Sequence, residues 1–207
     1  MTQIYDITPP ISPNLAVFPG DTPPTRQVLL DLNKGDNLTL STLNTTVHLG
    51  AHVDGPNHYG KDARSIDRQP LDLYLGPCQV MTVTVERGNN ITINDLPAEV
   101  KTERLLLHTG SYPNPEHWND DFAGLDPALV DHLSEKGVRL VGIDTPSVDP
   151  ATSKDLAAHH RFLASDMAIL EGIVLTEVPD GPYELIALPL KLEGYDASPV
   201  RAILRSL

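Results

Sequence analysis

Short apolar runs with the two-residue period of strands dominate the first half of the chain. Ile4–Thr8, Arg26–Leu32, Leu40–Val47 and Cys78–Val85 are rich in aliphatic and β-branched residues, and Met81-Thr82-Val83-Thr84-Val85 alternates cleanly. Arg104–His108 reads as a further strand, closed by the turn Thr109-Gly110-Ser111. The pattern then changes period. Asp126-Pro127 opens a helix carrying Leu129, Val130 and Leu133, which ends before Gly137. Val138–Ile143 is a buried strand, and Thr152-Ser-Lys-Asp155 has the form of a capping box, predicting a helix from there to about Ala164. Tyr183–Leu188 and Val200–Leu204 complete the strands. The mixture predicts an α/β or α+β fold in which strands outnumber helices. No linker-like stretch divides the chain, which predicts one domain over residues 1–207.

Composition narrows the class. The 207 residues are 40% hydrophobic, enough to bury a core without a disulfide or metal staple. No run approaches the ~18 apolar residues of a membrane span, and the first ten residues have neither a basic nor an apolar leader segment. The net charge of −13 makes nucleic acid and acidic membranes poor partners but does not disfavour divalent cations. The single cysteine, Cys78, is expected as a small buried residue on a strand, and a cytoplasmic setting fits it.

The densest chemical signal is His48-Leu-Gly-Ala-His52-Val-Asp54-Gly-Pro-Asn-His58, three histidines and a carboxylate within eleven residues. Glycine and proline argue against a helix here. In an extended chain residues 48, 52, 54 and 58 share a face, but His48 and His52 would stand about 13 Å apart at ~3.3 Å per residue. If the two share a metal whose ligands lie ~2 Å away, the chain must curl between them, and Gly50 permits that. Imidazole and carboxylate donors without thiolates suit Zn²⁺, Mn²⁺ or Fe²⁺ in an open, catalytic site. A second cluster follows at a distance. Glu171 interrupts the apolar run Ile169–Leu175, and His159 and His160 flank the inward stripe of the preceding helix. The helical pattern does not choose between them. Asp144 and Asp149 read as turn and support residues. Of the other histidines, His108 is placed to line a pocket, His117 falls in a surface loop beside Trp118, and His132 lies on an exposed helix face. Motifs of serine hydrolases and nucleotide folds are absent.

The pattern His48-x-Gly50-x-His52-x-Asp54-x-Pro56-x-His58 resembles the H-x-G-[TA]-H-x-D-x-P-x-H signature of the metal-dependent cyclase-like hydrolases. Further blocks resemble their bacterial kynurenine formamidase branch: Phe18-Pro-Gly-Asp21, Asp72-Leu-Tyr-Leu-Gly76, Ile143-Asp-Thr-Pro-Ser147, Met167-Ala-Ile-Leu-Glu171-Gly172, Tyr183-Glu-Leu-Ile-Ala-Leu-Pro189 and Asp196-Ala-Ser-Pro-Val-Arg201. The resemblance implies a swivelling β/β/α fold with a mixed sheet core, a homodimer, and hydrolysis of the small molecule N-formyl-L-kynurenine to L-kynurenine and formate in tryptophan breakdown. It also implies two Zn²⁺ per chain, with Mn²⁺ or another divalent metal as substitutes. His48, His52 and Asp54 would hold the first metal, and Asp54 would bridge to a second completed by His159 and Glu171. His159 is preferred over His160 because the family's ligand lies twelve residues before the glutamate. His58 would be the acid/base. At the substrate pocket Phe18 replaces the family's usual tryptophan, keeping an aromatic face without an indole N–H. Two other readings share the ligand pattern: a lactam-ring hydrolase acting on substrates such as isatin, and a non-catalytic metal-binding protein.

Overall fold

The computed structural model describes residues 2–207. Along the chain run β1 (Ile4–Asp6), β2 (Thr25–Leu30), β3 (Leu40–Asn44), β4 (His52–Asp54), β5 (Leu75–Thr82), β6 (Asn90–Ile91), β7 (Arg104–His108) and β8 (Gly124–Leu125). Then come α1 (Pro127–Glu135), β9 (Leu140–Ile143), α2 (Ala157–Ala164), β10 (Ala168–Glu171), β11 (Gly181–Ile186), β12 (Ala197–Pro199) and β13 (Ile203–Ser206). Nine of these strands form one mixed sheet in the order β1-β13-β11-β5-β7-β9-β10-β4-β12. The central run from β5 to β10 is parallel, and both flanks are antiparallel. This is the mixed α/β architecture that the sequence pattern and the resemblance lead one to expect.

The inner parallel strands β7, β9 and β10 are buried almost throughout and mostly apolar, because both of their faces are covered. Leu106 and Leu170 face one core with Val53, Leu185 and Leu204. Their neighbours Leu105, Leu107, Val141 and Ile169 face the other, against Leu129, Val130 and Leu133 of α1 and Ala158 and Phe162 of α2. Cys78 lies fully buried on β5. Helix α1 forms as its sequence predicts, with the Asp126 carboxylate accepting from the Ala128 N–H and Pro127 in the first turn. The ribbon of β2 and β3 stands apart from the large sheet, almost wholly exposed. Among the described residues no helix is long and apolar enough to cross a membrane.

Two local expectations are corrected. Thr152–Asp155 does not cap α2. The backbone at Leu156 is left-handed at φ 47°, and the helix starts only at Ala157. Its first N–H groups are taken by a more distant acid, with Asp149 accepting from Ala158 (3.1 Å) and His159 (3.0 Å). Nor does Val200–Leu204 form one strand. The chain changes neighbours there: the Val200 N–H donates to Ala51 O, and Ala202 O accepts from the Ile7 N–H, so β12 has ended at Pro199 and β13 begins only at Ile203.

Candidate metal centre

The centre is built on the pairing of β4 with β10. His52 and Asp54 are two residues apart on β4 and so share a face. The antiparallel register sets Glu171 directly opposite His52, which brings Glu171 Oε2 to 3.2 Å from His52 Nε2. Before β4 the chain curls at Gly50, φ 54°, and after β10 it turns at Gly172, φ 65°. The two glycines lie back to back; a Cβ on Gly172 would sit 2.2 Å from Gly50 O. That curl returns His48 to the cluster, its ring 5.1 Å from that of His52 and its Nδ1 3.3 Å from Asp54 Oδ1. The short 3₁₀ turn Pro56–His58 sets the His58 ring 4.2 Å from that of His48. Helix α2 contributes His159, with Nε2 3.6 Å from Asp54 Oδ2 and 3.8 Å from Glu171 Oε1. His160, one residue on, is exposed.

Asp54 is buried, yet neither of its carboxylate oxygens has a hydrogen-bond partner. A buried carboxylate left this way is costly unless a cation completes it. Ligand atoms of His48, His52 and Asp54 lie within 4.8 Å of one another, as do those of Asp54, His58 and His159. Asp54 belongs to both groups and has one oxygen for each. The all-N/O donor set fits a borderline or hard divalent cation.

The surroundings orient these donors. His52 Nδ1 donates to Gly50 O at 2.9 Å, leaving the Nε2 lone pair turned toward Asp54 and Glu171. His159 Nδ1 donates to Asp149 Oδ2 at 2.6 Å, which turns its Nε2 toward Asp54 and Glu171. Glu171 Oε1 accepts from the Val148 N–H at 2.7 Å. Burial opposes charge on His48, but its hydrogen bond to Asp196 and the negative charge of Asp54 nearby outweigh it and raise the imidazole pKa to about 10. Burial likewise opposes charge on His159, where Asp149, Asp54 and Glu171 raise it to about 10. Burial works against ionised Asp54 too, yet His159 and His48 hold its carboxyl well below the usual range. Protons on two imidazoles thus supply the positive charge this cluster of acids demands. His58 differs: burial pushes it below its ordinary 6.5, against the attraction of Asp54.

The structure therefore brings His48, His52, His58, His159 and Glu171 together on the wall of a cavity of about 950 Å³, with Asp54 buried behind them. Phe18 lines the same cavity, 38% exposed, edge-to-face with Trp118 at 4.9 Å. Trp118 is not an isolated loop residue; it also stacks against Phe122 and Tyr112. Asp144 lines the cavity and secures the turn after β7, accepting from the Thr109 and Gly110 N–H groups. Asp196 has no local chemical signal in the sequence. It stands 3.0 Å from His48 Nε2 and 3.5 Å from His58 Nδ1, placed there because its carbonyl accepts from the Gly55 N–H at 2.7 Å.

The Cyclase family model, described as "Putative cyclase", matches residues 5–150, a stretch that holds His48 through His58. The chain belongs to this family. Beyond that stretch, a full-length relative covers His159 and Glu171 as well. The kynurenine formamidase of Bordetella avium (strain 197N) is 44% identical over 209 residues, covering 100% of both chains. A solved structure described as a potential metal-dependent hydrolase with cyclase activity superposes with a TM-score of 0.87 at 26% identity, covering 100% of this chain and 99% of the other. Isatin hydrolase A from Labrenzia aggregata shares the fold, with a TM-score of 0.79 at 21% identity over 99% of this chain and 94% of that one.

Proposed function

We propose that this Cyclase-family protein is a zinc-dependent amide hydrolase converting N-formyl-L-kynurenine and water to L-kynurenine and formate. The observation that carries the chemistry is the pair of unpartnered oxygens on buried Asp54, each within 3.6 Å of a histidine nitrogen on a cavity wall. The full-length likeness to a kynurenine formamidase supports the substrate. His48, His52 and Asp54 would hold one divalent cation; Asp54, His159 and Glu171 would hold a second. When bound, such cations supply Lewis-acid polarisation of a carbonyl and make water a competent nucleophile near neutral pH.

The chain's own groups supply the rest. Phe18, held edge-to-face by Trp118, offers an aromatic face to the aryl ring. His58 Nδ1 faces Asp196 at 3.5 Å, which leaves Nε2 to deliver the proton that the departing aryl amine requires. Burial keeps this imidazole easier to deprotonate than a free one, as an acid/base that must cycle requires. In line with the family resemblance we also propose a homodimer acting in the cytoplasm. Light scattering should give about twice the chain mass of 22.5 kDa, and a reading near 22.5 kDa would remove the dimer.

The decisive experiment follows loss of N-formyl-L-kynurenine with metal content measured on the same sample. Turnover with about two metals per chain is expected. Turnover of isatin alone would reassign the pocket to lactam opening. No hydrolysis by fully loaded protein would make the centre non-catalytic.

A further inference from the structure

Each histidine of the proposed ligand set has one ring nitrogen tied to an oxygen and the other turned toward an acid. For His52 the tied atom is Nδ1, on Gly50 O at 2.9 Å, and Nε2 faces Asp54 and Glu171. For His159 it is again Nδ1, on Asp149 Oδ2 at 2.6 Å, and Nε2 faces the same two acids. His48 is reversed. Its Nε2 lies 3.0 Å from Asp196 Oδ2, and its Nδ1 lies 3.3 Å from Asp54 Oδ1.

The neighbours of His48 decide where its hydrogen sits. The hydrogen bond from His48 lowers the Asp196 carboxyl to about 2, so Asp196 is an ionised group that only accepts. The nitrogen bonded to it therefore carries a hydrogen, whatever the charge of the ring. A nitrogen that keeps its hydrogen has no lone pair for a metal, which leaves Nδ1 as the donor. The distances agree. Two donors ~2.0–2.2 Å from a tetrahedral zinc stand about 3.3–3.6 Å apart, and Nδ1 stands 3.3 Å from Asp54 Oδ1. Despite this closeness, Asp54 Oδ1 has no hydrogen-bond partner among the described residues. On the Nε2 side the neighbouring groups, Asp196 and His58, are partly exposed and open to water. Asp196 itself is anchored through its backbone, its carbonyl accepting from the Gly55 N–H at 2.7 Å, so a change of its side chain leaves that anchor in place.

We propose that Asp196 is a positioning residue of the metal centre: by holding the Nε2 hydrogen of His48 it makes Nδ1 the atom that binds the cation, whereas His52 and His159 bind through Nε2. The inference rests on the ligand set proposed above and is independent of the substrate. The test loads ¹⁵N-labelled protein with ¹¹³Cd²⁺ and reads by NMR which imidazole nitrogens couple to the metal. In wild type, coupling is expected at His48 Nδ1 and at Nε2 of His52 and His159. In Asp196→Ala the couplings of His52 and His159 should stay at Nε2, while that of His48 is lost or divided between its two nitrogens. Zinc titration should show an affinity about 10–100-fold weaker for Asp196→Ala. Asp196→Asn keeps an acceptor oxygen and should lie between Asp196→Ala and wild type. Coupling at His48 Nε2 in wild type would overturn the inference. So would an Asp196→Ala variant whose His48 coupling and zinc affinity match wild type, since Asp196 would then position nothing. Absence of coupling to any of the three histidines in wild type would instead overturn the ligand set, and the inference with it.

Discussion

His58 and His52 carry the same functional group in different settings. His52 is buried with Nδ1 tied to Gly50 O and Nε2 aimed at two carboxylates, whereas over a third of the His58 side chain is exposed and its Nδ1 faces Asp196. His58→Ala should therefore lower kcat by about 10²–10⁴-fold while metal content stays near that of wild type. His52→Ala should lose metal and activity together, and metal analysis of the two purified variants separates the cases. If His58→Ala turned over normally, the acid/base role would be wrong. Asp149 acts through its neighbours, orienting His159 and accepting from two N–H groups of α2. Asp149→Ala should reduce metal affinity about 10–100-fold and destabilise the fold by about 1 kcal/mol, read by metal titration and thermal unfolding. The roles differ in how far they can be read from sequence. His48 to His58 stand out because their spacing is local. Asp196 does not, because its place beside His48 depends on a backbone contact between Gly55 and a residue 141 positions later.

At the scale of elements, β4 and β10 place three of the proposed ligands through one register, and Gly50 and Gly172 let the flanking turns nest. Gly172→Ala asks a left-handed position to accept a side chain and drives a Cβ onto Gly50 O. A loss of more than about 2 kcal/mol is expected, with metal retention falling further than for a surface substitution of equal cost. Thermal unfolding and metal content of the variant check this; an unchanged Tm would mean that the turns can separate freely. Strand-rich composition, α1 and the parallel apolar strands are legible in sequence because propensity, pattern and burial agree there. The start of α2 is not. The Thr152–Asp155 pattern matches a capping box, but the left-handed Leu156 interrupts it, and Asp149 outside that window supplies the cap. The break between β12 and β13 is hidden for a related reason. Val200 is apolar like a strand residue, and only the passage from Ala51 opposite Val200 to Ile7 opposite Ala202 shows that the chain has changed partners.

For the whole molecule, the cluster links metal, protons and stability. Without metal, His48 and His159 are held protonated up to about 10. Their folded values lie above the ordinary 6.5, so their contribution to stability is fully present below about 6.5 and is lost as pH rises toward 10. Bound metal has the opposite dependence, because it must displace those protons and competes better as pH rises. The gap in thermal midpoint between loaded and chelated protein should therefore widen from pH 6 to pH 9. At a free metal concentration of about 100 times Kd, the linkage stabilises by about 2.7 kcal/mol. In a chain of this length that corresponds to a fall in Tm of roughly 5–10 °C on chelation. Scanning calorimetry of both forms across that range, with residual metal measured, is the check. A gap that stays constant or narrows with rising pH would mean that the metal does not displace protons from these histidines. A Tm that does not move when the metal is removed would mean that protonated His48 and His159 compensate the buried Asp54 carboxylate as well as a metal does.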